Sequence, residues 1–308
     1  MEPANKNRNS KDYLIKRIKQ SGYPLEIRIS DILDNDEYYV SNTQYYFDED
    51  TKQGRDIDIF ASPLFFDLDK KLIDLENKLR PFRVRTDMAI ECKKSQTHAW
   101  VFYTRPNVKL SGYHVSGQFK TSVPKNTKTL VDPFKRELQD CFAFHYHDFE
   151  RVAIAYDEIK KQKLEKGTTR KDNQSRREIF EAINQLIKFT CYETHQTLNR
   201  FLNLSVKTAY KDIIVFYFPI IVFDGDMFEV IFDSGEPNVE RTNHIILKTE
   251  YNCSYCNEVE SFTLDVVHSS FFSEFMNILR MDFEKVRNNI LKRHIELLEK
   301  VKENRQSN

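Results

Sequence analysis

Apolar side chains recur along this chain with two periods, and the switches between them predict its elements. Tyr13, Leu14 and Ile18, with the aliphatic stem of Lys19, fall on one face of a short amphipathic helix that should stop at Ser21-Gly22. Pro24 suits a first helical turn, so a second helix is expected there, with Leu25, Ile29, Ile32 and Leu33 inward and Glu26 in its opening turn. The aromatic runs Tyr38-Tyr39-Val40 and Tyr45-Tyr46-Phe47, parted by Ser41-Asn42, predict two strands or one bent strand. A polar turn over 48–54 follows.

Strict alternation then sorts the side chains. In Arg55-Asp56-Ile57-Asp58-Ile59-Phe60-Ala61 it puts Asp56 and Asp58 on one face of a strand. A helix is expected over 64–79. In the returning strand Met88-Ala89-Ile90-Glu91-Cys92-Lys93, Glu91 and Lys93 share one face while Ile90 and Cys92 take the other. Trp100-Val101-Phe102-Tyr103 predicts a further strand, and the charged stretch 160–177 an exposed loop.

Ile179, Ala182, Ile183, Leu186 and Ile187 are spaced as a helix that should extend toward Leu198. Strands at 213–223, 228–233, 244–249 and 261–267 and two helices near 270–280 and 282–303 complete the expectation. No internal repeat and no linker divides the chain. Beyond a polar tail over 1–10, residues 11–308 are expected to form a single domain, with insertions near 62–86 and 104–175.

Composition narrows the chemistry by exclusion. Seven glycines in 308 residues leave no glycine-rich phosphate loop, and no Ser-His-Asp or Cys-His arrangement is found, which disfavours a small-molecule enzyme of those classes. Lys plus Arg equal Asp plus Glu at 47 each, so any contact with nucleic acid must come from local patches. The five cysteines are odd in number and mostly scattered, arguing against a disulfide framework and for a reducing cytoplasm. The apolar run 213–223 is too short to span a bilayer and contains Pro219.

What remains is the acidic pair of strands. Cleaving a phosphodiester with a bound metal needs carboxylates, because hard cations such as Mg²⁺ take oxygen ligands, and a nearby cation helps the attack. Two paired strands, one with Asp58 and one with Glu91-Cys92-Lys93, bring those three side chains to one centre. A Glu-x-Lys triplet alone is common on exposed strands; its position after a strand start and downstream of an aspartate strand raises it above that background.

Asp56-Ile57-Asp58 with Ile90-Glu91-Cys92-Lys93 resembles the PD-(D/E)xK, or restriction-endonuclease-like, superfamily of nucleases. The resemblance spans about residues 11–223. It implies an α/β fold, a mixed central sheet flanked by helices, with inserted segments and a helical C-terminus. It further implies Asp58 and Glu91 as metal ligands and Lys93 as the group that orients or activates the water. Asp58 is preferred to Asp56 on the resemblance, with Asp56 as a second candidate. Glu26 stands where many members carry a first-helix acid that supports the metal, and Gln185 where some carry an assisting Gln or Lys, with Lys188 a turn on. The chain departs from the pattern in its long 58–91 interval, in having no proline before the aspartate, and in the long stretch between Lys93 and the helix at 179, which bears on Gln185.

The expected function is therefore Mg²⁺-dependent hydrolysis of phosphodiesters, Mn²⁺ substituting, with DNA favoured over RNA. Restriction or defence against foreign DNA is what the resemblance implies. Its rival is a non-catalytic nucleic-acid- or protein-binding module on the same fold. Cutting both strands of a duplex usually takes two sites, which points to a homodimer without naming its interface. Cys253-Ser254-Tyr255-Cys256 has the spacing of half a zinc site but lacks a second pair; free cysteines in a turn account for it better. His145-Tyr146-His147-Asp148 reads as solvated. The basic residues between Lys160 and Arg177 fit a solvated loop or phosphate contacts equally well.

Overall fold

The computed structural model describes residues 4–63, 82–106, 119–121, 151–161, 177–203, 212–233, 235–252, 254, 260–285 and 288–289. The expected helix at 64–79, the His145–Asp148 cluster, the basic loop beyond Lys161, Cys253, Cys256 and the end of the chain lie outside these residues.

Two helices open the chain: α1 (Ala4–Gln20) and α2 (Tyr23–Asn35). The first begins inside the stretch expected to be a tail, since nothing between Ala4 and Ser10 breaks a helix. Pro24 sits at the start of α2, where a missing N–H costs no bond. Then come β1 (Tyr38–Asp48), β2 (Gln53–Pro63) and β3 (Phe82–Pro106). Each pairs antiparallel with the next. The aromatic runs of 38–47 thus form one strand.

After β4 (Phe119–Thr121) and β5 (Arg151–Lys160), α3 (Arg177–Asn203) crosses to β6 (Asp212–Asp233), and β7 (Glu236–Arg241), β8 (His244–Tyr251) and β9 (Glu260–His268) follow. Residues 272–285 form α4 without a break at the expected 280–282 boundary. Strand β6 lies parallel to β3 along nearly its whole length. The chain expected as two strands, 213–223 and 228–233, is thus one. Pro219 is tolerated in it because it falls between the β4 ladder, which ends at Phe216, and the β9 ladder, which starts at Ile220.

The architecture is mixed α/β, with helices on both faces of the sheet. Leu25, Ile29 and Leu33 of α2 and Phe272, Phe275 and Leu279 of α4 pack on one face against Ile90, Ile220 and Val222. Ile179, Ile183 and Leu186 of α3 pack on the other against Ala89, Trp100 and Ile221. A plain flanked sheet is not the whole of it. The pairings β3–β5, β5–β8, β8–β9, β9–β6 and β6–β3 close a circuit of five strands. Closure is made by the two long strands, which bend together at one point: Lys94 opposes Asp224 but Ala99 already opposes Asp226. Gly225 lies under that bulge, where a Cβ would stand 2.8 Å from the Ser95 carbonyl oxygen. Trp100 stacks on Phe223 just beyond, ring centroids 3.9 Å apart, as core.

Candidate active site

The acidic strands meet where the ladder of β2 lapses on both sides. Toward β3, pairing runs from Ala61↔Met88 to Ile59↔Ile90 and stops before Asp58. Toward β1, Asn42↔Ile59 and Gln44↔Ile57 are paired, and Thr43 between them, opposite Asp58, has φ of 56°. A positive φ is costly for a β-branched residue. The kink at Thr43 and the parting of β2 from β3 leave Asp58 outside regular pairing. Its Oδ2 accepts the Cys92 amide at 2.7 Å, a bond the ladder would otherwise have supplied.

Strand alternation puts Glu91 and Lys93 on the α3 side of β3, and Cys92 on the other, packed against α2. Lys93 Nζ lies 2.5 Å from Glu91 Oε2 and 4.0 Å from Asp58 Oδ2. Glu91 has 0% of its surface exposed, and its second oxygen, Oε1, is buried with no hydrogen-bond partner. An orphaned oxygen on a buried carboxylate is rare and calls for a physical reason.

Electrostatics follow from that geometry. Burial pushes the Glu91 carboxyl up to about 8, Asp58 adds to the rise, and Lys93 opposes it. Burial likewise raises Asp58, against Lys93 and the Cys92 amide. Glu26 is raised by burial, then by Asp58, with Lys93 pulling down and Asp56 pushing up, so the α2 acid belongs to the same electrostatic centre. Burial tends to discharge Lys93, but Glu91 and Asp58 outweigh it and hold the ammonium charged.

The expected residues Asp58, Glu91, Lys93 and Glu26 thus come together, with exposed Asp56 alongside. Gln185 does not join them through any hydrogen bond. It is half-buried on α3, and its backbone carbonyl accepts the Tyr46 hydroxyl at 3.5 Å. Lys188 is turned to the β1–β2 hairpin, 2.8 Å from Asp48 and 3.4 Å from Asp50. Helical spacing could place these two near the sheet, but only the end of β1 decides which carboxylate the lysine meets. Two neighbours escaped the sequence: Thr43, whose backbone kink no residue type announces, and Tyr46, fully buried, its phenol pushed up by burial, Asp48 and Glu91.

Among the described residues no group of three or more His, Cys, Asp or Glu side chains is arranged to hold a metal ion. A hard divalent ion needs fewer, since Mg²⁺ is commonly held by one or two carboxylates and keeps several waters. The donor set here fits such an ion: the free Oε1 of Glu91, Asp58 across the strand gap, and Glu26 nearby. Cys92 and Cys191 are buried. No helix among the described residues is long and apolar enough to cross a membrane. Comparison with protein-family models, curated proteins and solved structures finds no match.

Proposed function

We propose that this chain is a divalent-metal-dependent nuclease of the PD-(D/E)xK kind, with DNA as its first-choice substrate. The observation that carries the proposal is the fully buried Glu91, one oxygen unbonded, two residues before Lys93 on the same strand face and across a strand gap from Asp58. The order of elements supports it: a helix with Glu26, then, after β1, a strand with Asp58 and a strand with Glu91 and Lys93, and, after β4 and β5, α3 and a strand parallel to β3.

In this proposal Asp58 and Glu91 hold the ion, and Glu26 reaches it through water. The ion supplies a water of lowered pKa and neutralises charge on the phosphate. Lys93, held charged by its carboxylate neighbours, serves as a cation and not as a proton acceptor. Beside both carboxylates, the ammonium would steady the incoming water and a phosphate oxygen. The carboxylates' low-dielectric surroundings strengthen each of these attractions.

The test is cleavage of single- and double-stranded DNA and of RNA with Mg²⁺ or Mn²⁺, wild type beside Asp58→Ala and Lys93→Ala. The proposal requires metal-dependent cutting by the wild type and its loss in both variants. A wild type that binds nucleic acid but never cuts favours the binding-module rival; a variant that cuts like wild type removes the assigned residue.

A further inference from the structure

Among the described residues, free positive charge gathers in α1. Ala4–Gln20 holds Lys6, Arg8, Lys11, Lys16, Arg17 and Lys19 against the single acid Asp12, a net charge of +5 in a chain whose total is zero. From Lys11 to Gln20 every residue is exposed. Lys11, Lys16, Arg17 and Lys19 form no ion pair among the described residues. The described cations elsewhere are mostly neutralised: Lys52 by Glu49, Arg55 by Asp48, Arg151 by Glu229, Lys161 by Asp226, Arg241 by Asp226.

The helix is also tied to the candidate site. Lys94, the residue after Lys93, donates from Nζ to the Lys19 carbonyl at 3.1 Å, a cation on the negative end of α1. The C-terminal end of the helix is therefore held by the residue that follows Lys93 and, at 17 residues, the helix extends about 25 Å from there, the length of about seven base pairs. Tyr13 and Tyr23 stand 63% and 68% exposed among these cations.

We propose that α1 is the nucleic-acid-binding helix of this protein, its Lys11, Lys16, Arg17 and Lys19 lying along the phosphate backbone that leads into the Asp58–Glu91–Lys93 site. The choice of partner rests on the nuclease reading above. An amphipathic basic helix also suits an anionic lipid surface; the anchorage of α1 beside Lys93 favours the strand being cut. Phosphate contacts release counterions, so each lysine or arginine that makes one adds about 0.9 to the salt slope of binding.

The experiment is fluorescence anisotropy with labelled duplex and single-stranded oligonucleotides in EDTA, over a salt series. It compares the full wild-type chain, the variant Lys11→Gln/Lys16→Gln/Arg17→Gln/Lys19→Gln, and a control with the same loss of charge, Lys52→Gln/Arg241→Gln/Arg280→Gln/Lys285→Gln. Glutamine keeps helix propensity near that of lysine, and circular dichroism checks folding. The α1 variant should bind at least about tenfold more weakly with a salt slope smaller by about three to four, while the control binds as wild type. Equal binding by the α1 variant, or an equal loss in the control, overturns the proposal. So does a wild type that sediments with phosphatidylserine vesicles and binds no oligonucleotide. With no metal present the outcome is independent of cutting: binding through α1 without any cleavage removes the nuclease reading and leaves this one standing, and cleavage with unaltered binding does the reverse.

Discussion

Two carboxylate–lysine clusters sit along the same β1–β2 ladder, one at its hairpin end and one at its middle, built from the same residue types and solved in opposite ways. At the hairpin end Asp48 is buried and saturated. It takes bonds from the Asp50 and Thr51 amides, the Thr51 hydroxyl, Arg55 and Lys188. Burial works against its charge, but the bonds from Lys188 and Thr51 prevail and hold it at about 2. At the other cluster Glu91 is equally buried, keeps one oxygen unbonded, and is pushed up to about 8. A saturated carboxylate is a structural rivet, whereas an undersaturated one held in place by its strand is equipped for a ligand.

The largest expected effect lies in cleavage. Asp58→Ala or Lys93→Ala should each lower the rate of DNA hydrolysis by ~10²–10³-fold or more, measured on protein whose circular dichroism matches wild type. Asp48→Asn should do the opposite: cost ~2–4 kcal/mol of stability in denaturant titration, because it breaks a buried pair and leaves Lys188 only the more distant Asp50, while cleavage per folded molecule stays within about twofold of wild type. If Asp48→Asn abolishes cleavage in folded protein, the division between rivet and site fails.

The pH dependences of the two clusters should run in opposite senses. Asp48 is depressed on folding, so its contribution is present above the ordinary carboxylate range and is lost as pH falls toward about 2. Glu91 is raised, so the folded state binds its proton more tightly, and metal-free stability falls as pH climbs from the carboxylate range to about 8. Glu91→Gln should therefore stabilise the metal-free protein at pH 8 to 9 by ~1 kcal/mol, about 2–4 °C in Tm. No gain at that pH would mean that Glu91 carries no unrelieved charge. Of similar size, Thr43→Gly should relieve the positive φ opposite Asp58 and return ~1 kcal/mol. Smallest of all is Gln185→Ala, with less than about threefold change in cleavage, since its side chain makes no bond to the site.

The site was legible where chemistry and strand period coincide. Alternation alone put Glu91 and Lys93 on one face and Cys92 on the other, whereas the bond from the Cys92 amide to Asp58 has no sequence signal. Helices α2 and α3 were legible from their apolar spacing, with α3 running a little longer at both ends than expected. Long-range facts were not. Lys188 meets Asp48 across 140 positions of sequence, and a helical period tells only which face a lysine occupies. The continuous β6 was hidden by Asp224-Gly225-Asp226, a polar stretch around a glycine of the kind that ordinarily ends strands. Strands β5 and β7 were missed because 6 of 6 residues in β7 are exposed and β5 mixes charges with apolar positions, leaving no clean period.

The undersaturated carboxylate pair, and not the saturated one, should hold a divalent ion. Isothermal titration of the metal-free protein with Mn²⁺ tests it directly, using wild type, Glu91→Gln, Asp58→Ala and Asp48→Asn. Wild type and Asp48→Asn should bind with matching affinity, and Glu91→Gln and Asp58→Ala should lose that binding. Binding that survives Glu91→Gln and Asp58→Ala, or a wild type that takes up no ion, would contradict the claim.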